Sequence, residues 1–342
     1  MLKSNFKLLK GEMKMQCDKK TFPTLHVVGE NIPQAYFRAI KVVWEHGLSI
    51  RTQYDRQDDA GNYIDPPSRD ARVLIEVKNP FAQPRYPPIS FCEIGTYIAE
   101  ILGFKDHRVL PMEMLVGTDP VPEHMKTWWP YSYHQRLTAH PETNGNIIDQ
   151  LAMAVELVAQ TPHTRRAMTT TAVPNLDPFL KEDIPCLREI QLRCVEQTDG
   201  SLLLCPSATW RSRDLYKAWG DNMIALTFWM QTVAKQITKQ NGRRTELGSW
   251  ADYSASLHIY GQDFDKVAGN SEKGLQSFFD TFDEETFIAR SLTSEMAAEM
   301  LVIPQLEALL TPASQANWQF PDETLTAIRQ LINDIKNSTL IV

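Results

Sequence analysis

The spacing of hydrophobic positions changes several times along the chain, and each change marks an element. Tyr36, Ile40 and Val43 recur at helical spacing after Asn31-Ile32-Pro33, a capping side chain followed by proline in the first turn. Gly47 closes that helix. Residues 51–70 are polar and rich in Asp, Gly and Pro, so they read as a loop. Val73, Ile75 and Val77 alternate with Leu74 and Glu76, the period of a strand. Prolines crowd residues 79–90 into a second loop. Glu93 to Phe104 reads as a helix turning Ile94, Tyr97, Ile98 and Ile101 inward, and residues 105–130 are irregular up to Trp128-Trp129-Pro130.

Ile148, Leu151, Val155 and Val158 mark an amphipathic helix that stops before Pro162. A threonine-rich strand follows at 167–173. Ile190, Leu192 and Cys194 alternate with Glu189, Gln191 and Arg193, Thr198-Asp199-Gly200 is a hairpin turn, and Leu202 to Trp210 reads as one return strand. Met223 to Ile237 is apolar on nearly every side, which suits a helix inside the core. Tyr253, Ala255, Leu257 and Ile259 predict a further strand with one inward face. From Glu272 onward the pattern is helical and charged, ending at Leu340-Ile341-Val342. With no repeats and no low-complexity linker, the chain reads as one α+β domain with a helical C-terminal appendage.

Composition narrows the function classes. The net charge of -7 argues against a general nucleic-acid surface, so any phosphate site must be a local arginine cluster. No apolar run approaches the ~20 residues that cross a membrane. The 5 cysteines are odd in number and lack C-x-x-C spacing, which argues against a disulfide scaffold and a zinc site and fits a reducing cytoplasm. Residues 1–25, with Lys3, Lys7, Lys10 and Lys14, read as an N-terminal extension without a signal-peptide core.

The chemistry gathers between Ile184 and Asn222. A lone cysteine is usually a small buried hydrophobe, but Cys186 has company. Pro185-Cys186 is followed by Arg211-Ser212-Arg213-Asp214, by Asn222 eight residues later, and by His258-Ile259-Tyr260, with Thr164-Arg165-Arg166 upstream. In that order these pieces resemble the active-site core of the thymidylate synthase superfamily, and Glu100-Ile101-Leu102-Gly103-Phe104 resembles its catalytic glutamate segment. The resemblance spans residues 30–265 and is nearest the methanogen-type and hydroxymethylase branches. It implies a three-layer α+β fold with a twisted mixed sheet and a buried central helix. Residues 26–265 would be the catalytic domain, and 266–342 a helical region of the same domain. It also implies a homodimer with shared active sites.

The resemblance also implies roles. Carbon 5 of uracil is a poor nucleophile until a thiolate adds at C6. Cys186 would supply that thiolate, ionised with the help of arginines. Arg211 would serve both thiolate and phosphate, joined by Ser212 and by Arg69 as a mobile clamp in the Ser-Arg-Asp loop. Arg165 and Arg166 would reach the partner subunit's phosphate. Asn222 would read O4 and N3-H of uracil while capping the helix from Met223; aspartate there would suit cytosine. His258 and Tyr260, two apart on a strand, would face one ribose hydroxyl. Glu100 would relay protons at O4 and C5, with Glu93 and Glu113 as nearby competitors. Tyr133 would contact the cysteine region, and Asp214 the pterin ring of 5,10-methylenetetrahydrofolate, the cosubstrate. No metal is implied. The expected reaction converts dUMP to dTMP; the alternatives are 5-hydroxymethylation of (d)UMP or (d)CMP and an inactive nucleotide-binding homologue. Leu187, Trp210, Ala172-Val173 and the tail depart from the superfamily pattern.

Overall fold

The computed structural model describes residues 21–111, 114–115, 120–141, 146–180, 184–264 and 275–342. Residues 1–20 of the expected extension, Glu113 and Glu272 lie outside the described residues. In chain order the elements are β1 (Thr24–Gly29), α1 (Ile32–His46), β2 (Leu48–Ile50), β3 (Ser68–Val77), α2 (Ile94–Ile101), α3 (Tyr133–Thr138), β4 (His140–Pro141), β5 (Ile147–Ile148), α4 (Gln150–Gln160) and β6 (Met168–Thr170). There follow β7 (Leu187–Gln191), β8 (Cys194–Glu196), β9 (Leu202–Leu204), β10 (Ser207–Trp210), β11 (Arg213–Asp214), a wide π-type turn at Leu215–Trp219, α5 (Gly220–Asn241), β12 (Thr245–Leu247) and β13 (Trp250–Ile259). The C-terminal helices are α6 (Leu275–Thr281), α7 (Glu284–Ala289), α8 (Ser294–Ala297), α9 (Ile303–Leu309), α10 (Pro312–Trp318) and α11 (Asp322–Lys336).

The fold is α+β, built on a mixed sheet in the order β1-β3-β13-β10-β7-β6, with β2 on β3 and β11 on β13. β1 runs parallel to β3 and β10 parallel to β13, while β13 is antiparallel to β3 and β7 to β10. One face is covered by α1 and α5. Asn31 caps α1 by accepting from the Gln34 amide at 3.0 Å, and Ile32, Tyr36, Ile40 and Val43 are buried. α5 is the buried central helix, and Met223, Ile224, Ala225, Leu226 and Phe228 are all sealed from solvent, as their unbroken apolar run requires. The other sheet face is partly open: Leu74 on β3 is 42% exposed and Met168 on β6 is 50% exposed.

Four expectations need correction. Leu202 to Trp210 is not one strand. Pro206 lacks a backbone N–H, the run breaks there, and β9 joins a small sheet with β8 and β12 while β10 returns to the main sheet. β13 does not keep one inward face from Tyr253 to Ile259. Its register shifts between Ser254 and Leu257, so Trp250, Asp252 and Ser254 are buried before the shift and Leu257 and Ile259 after it. The loop at 51–70 ends early, because Ser68, Arg69 and Asp70 already belong to β3. Asn222 is not a helix cap: α5 begins at Gly220 and continues out of the preceding turn. β1 was not foreseen.

The C-terminal helices pack onto this body. The Gly95 amide donates to Gln305 Oε1 at 2.6 Å, and Trp318 stacks on Trp129 with centroids 5.6 Å apart. The tail returns to α5, where Gln231 exchanges two hydrogen bonds with the Ile341 backbone and Val342 is buried.

Gly261, just after β13, packs so tightly that an added Cβ would lie 1.7 Å from the Pro66 carbonyl oxygen. Gly261→Ala is expected to cost about 2 kcal/mol or more through overpacking. For a chain of 342 residues that is a fall of about 3 °C or more in the thermal midpoint; an unchanged midpoint in a circular-dichroism melt would refute this close approach.

Candidate active site

The antiparallel pairing of β7 with β10 decides which residues meet. Trp210 pairs with Leu187 across a bulge, so the next residue, Arg211, lies opposite Cys186, and the Arg211 amide donates to the Cys186 carbonyl at 2.9 Å. The Arg211 guanidinium folds back on the chain entering the strand, donating from Nε and Nη2 to the Ile184 carbonyl at 3.2 and 2.6 Å. Arg188 Nη1 donates to the Pro185 carbonyl at 3.3 Å and pairs with Asp177, which also holds the buried Arg136. Two arginines therefore bind the peptide that delivers Cys186, a half-buried cysteine outside any disulfide.

Tyr133 begins α3 beside this thiol. Ser132 caps that helix by accepting from the Gln135 amide, and the Tyr133 ring meets Trp210 edge-on at 5.8 Å. Burial, and then the Cys186 sulfur, push the Tyr133 phenol well above its ordinary value.

β11 sends successive side chains to opposite sides. Arg213 is 2% exposed, with its guanidinium carbon 3.9 Å from the Trp210 ring centroid. It donates to Asp252 Oδ2 at 2.5 Å and to Asn222 Oδ1 at 3.1 Å. Asn222 Nδ2 in turn donates to the Tyr97 hydroxyl at 2.5 Å. Burial lowers the Arg213 pKa and raises that of Asp252; each partner opposes the other's shift, and the guanidinium stays protonated. Asp214, on the other side, accepts from the Lys217 amide at 2.9 Å, and burial pushes its carboxyl up to about 6.

His258 on β13 is 4% exposed and its ring meets Tyr260 at 4.4 Å, so the two share a face as the spacing predicted. Its Nδ1 lies 3.2 Å from Ser256 Oγ, which donates to Asp70 at 2.7 Å. Its Nε2 is buried without a partner among the described residues. Burial pulls the imidazole down to about 4, and Arg211 acts in the same direction. Glu100, in the last turn of α2, faces Lys105 Nζ at 3.6 Å. Burial raises Glu100 and Lys105 opposes it. Lys105 is 4% exposed, its ammonium 4.3 Å from the Trp318 centroid and 5.3 Å from that of Trp129.

No family model matches the chain. Relatives do. The protein named "Putative thymidylate synthase" in Methanosarcina mazei is 26% identical over 248 residues, 72% of this chain and 94% of its own. Its namesake in Methanosarcina acetivorans is 24% identical over 249 residues, with the same coverage. That of Methanopyrus kandleri is 34% identical over 116 residues, 34% of this chain and half of its own. Over 72% of its length the chain is thus similar to methanogen proteins bearing the thymidylate synthase name. A solved structure, thermostable thymidylate synthase A from Bacillus subtilis, overlaps 67% of this chain and 80% of its own at 18% identity and a TM-score of 0.43, too loosely to argue from.

The superfamily landmarks are thus unequally gathered. Cys186, Arg211 and Tyr133 stand together, and His258 and Tyr260 pair beside them. Arg69 is not a mobile loop residue: it sits in β3 opposite Ile259, over the Trp44 ring at 5.7 Å, and donates to the Gly47 carbonyl at 3.4 Å. Ser212 is half-buried beside Arg211. Arg165 and Arg166 are exposed before β6, whose register puts them at the far end of β7 from Cys186. Glu93 is exposed. Among the described residues no cluster of His, Cys, Asp or Glu could hold a metal ion, and no helix is long and apolar enough to cross a membrane. The sequence reading missed Tyr97, Lys105 and Asp252 as partners of the site. Arg213 was passed over because it fills the motif's variable position.

Two expectations follow from these buried charges. Arg213→Leu strands the Asp252 carboxylate and is expected to cost about 3–5 kcal/mol, while Arg213→Leu/Asp252→Leu removes both charges and is expected to be much nearer neutral. Denaturant unfolding of the two variants distinguishes this from simple loss of packing, which would make the double variant the worse of the two. For His258, the unfolded imidazole takes a proton near pH 6.5 and the folded one only near 4. The unfolded state therefore binds more protons between those values, and stability falls as pH drops through that window. His258→Gln should remove this part of the slope; an unaltered slope would show that the imidazole already protonates in the native state.

Proposed function

We propose that the chain is a thymidylate synthase-like enzyme that transfers a one-carbon unit to C5 of dUMP through a Cys186 adduct at C6. The coarser statement, folate-linked C5 transfer to a pyrimidine nucleotide, is supported by the relatives' names. The observation that carries the finer one is the seating of Cys186: a half-buried thiol at the head of β7, its peptide held by Arg211 and Arg188, with the Tyr133 phenol alongside.

In this reading Arg211, which already lowers the pKa of His258, sets a positive field that favours the thiolate. The thiolate forms a bond to C6, and the electron pair moves to C5 and O4. Asn222 and the Tyr97 hydroxyl bound to it hold the base edge. Glu100, whose pKa burial raises and Lys105 opposes, moves a proton at O4 and later accepts the C5 proton, through water. Release of Cys186 from C6 restores the ring. His258 Nε2, buried and unpartnered, fits a ribose hydroxyl. 5,10-Methylenetetrahydrofolate supplies the one-carbon unit and, for a methyl product, the hydride. Asp214 would hold its pterin ring, and a carboxyl pushed up to about 6 fits a site shielded from bulk water. Arg69, Arg211 and Ser212 would meet the phosphate, with Arg165 and Arg166 from a second copy. The exposed sheet face at Leu74 and Met168 favours such a homodimer. On this reading residues 26–265 are the catalytic domain, 266–342 belong to the same domain, and the enzyme is cytoplasmic.

The test is tritium release from [5-³H]dUMP in the presence of methylenetetrahydrofolate. Release is expected, accompanied by a rise in absorbance near 340 nm as dihydrofolate forms. Release without the rise would indicate a 5-hydroxymethyl product, and no release would sink the enzyme reading. Cys186→Ala should abolish release by at least about 10³-fold while nucleotide still binds.

A further inference from the structure

This inference deepens the reading above and rests on it. An asparagine amide is ambidextrous. Turned one way it offers N–H to a ring carbonyl; turned over, it offers its oxygen to a ring amino group. Asn222 alone therefore does not select uracil over cytosine.

The surroundings of Asn222 remove that freedom. Arg213 Nε lies 3.1 Å from Asn222 Oδ1, and a guanidinium has donors only, so the atom facing it must be the oxygen. Arg213 is itself immobilised. It is 2% exposed, it holds Asp252 at 2.5 Å, and Trp210 covers its guanidinium plane at 3.9 Å. On the other side Asn222 Nδ2 donates to the Tyr97 hydroxyl. Tyr97 is one helical turn before Glu100 on α2, and Glu100 is the first charged group, after burial itself, to raise the Tyr97 phenol. The amide nitrogen thus lies on the Glu100 side. In the proposed reaction Glu100 serves O4, so the second hydrogen of Nδ2 is offered where the base carries its C4 substituent. A carbonyl there, as in uracil, accepts it. An amino group, as in cytosine, brings donor against donor.

We propose that Arg213 is a positioning residue that locks the Asn222 amide in the orientation that reads a C4 carbonyl, so that selection of dUMP over dCMP depends on the Arg213–Asp252 pair as well as on Asn222.

Calorimetric affinities of the full chain for dUMP and dCMP test this. The parent is expected to favour dUMP by about 10-fold or more. In Arg213→Leu/Asp252→Leu no charge is left buried alone and the amide is free to turn. The preference is then expected to shrink toward unity, chiefly because dCMP binds better. Arg213→Lys keeps a single donor beside Asp252 and should fall between. A purely structural role would weaken both nucleotides together and leave the ratio unchanged. That outcome, in a variant with the parental circular-dichroism spectrum, overturns the lock while the proposed function stands; a parental preference for dCMP overturns both the lock and the choice of dUMP as substrate. A parent that binds neither nucleotide overturns the functional reading, and the lock with it.

Discussion

A charged guanidinium sealed inside the protein constrains everything around it. Removing an ion from water is expensive, and the expense is offset only when every donor has a well-placed acceptor. Arg213 meets this in part, with Asp252 on β13, Asn222 on α5 and the Trp210 face at the end of β10, while its Nη2 is buried without a hydrogen-bond partner among the described residues. Those partners come from two strands of the main sheet and from the central helix. The pair therefore fixes where α5 starts relative to β11 and β13, and with it where Asn222 and Tyr97 stand. Replacement of the pair by apolar side chains would give a core of similar stability, so its retention points to orientation of groups more than to folding energy.

A second buried charge ties the C-terminal region to the same site. Lys105 is nearly closed to solvent between Trp129 and Trp318, and its counter-ion is Glu100. Burial lowers the Lys105 pKa and Glu100 opposes that shift, while the indole faces favour the ammonium form that places a field on Glu100. Trp318 belongs to α10, and its carbonyl meets His107 Nε2 at 2.9 Å. The appendage is thereby a wall of the proposed proton-relay residue, which gives residues 303–318 a chemical reason to be attached.

Much of this was legible in the sequence wherever a signal is local. The Asn31 cap, the buried run of α5 and the hairpin at Asp199-Gly200 rest on spacing and turn chemistry within a few residues. Motif order brought Cys186 and Arg211 together correctly, because two adjacent antiparallel strands carry them. What failed was non-local or broke a period. Pro206 divides one apparent strand between two sheets, and the shift between Ser254 and Leu257 moves alternate residues to the other face. The pairing of Arg213 with Asp252 spans 39 residues, and no spacing rule reaches that far.

The phosphate side of the site shows how a single chain can be incomplete. A phosphate dianion wants several charge-assisted donors. Arg211 already gives Nε and Nη2 to the Ile184 carbonyl, and those bonds support the peptide that carries Cys186. To turn the whole guanidinium onto phosphate would loosen the thiol it supports. Arg69, the proposed second donor, sits on β3, leaned on Trp44 and the Gly47 carbonyl. Arg165 and Arg166 are the exposed arginines of the motif, and they lie at the far end of β7 from their own Cys186. An arrangement in which one copy holds the nucleophile in place and another supplies the remaining positive charge separates these two demands. In the proposed homodimer, assembly as well as folding would be a condition for binding the nucleotide.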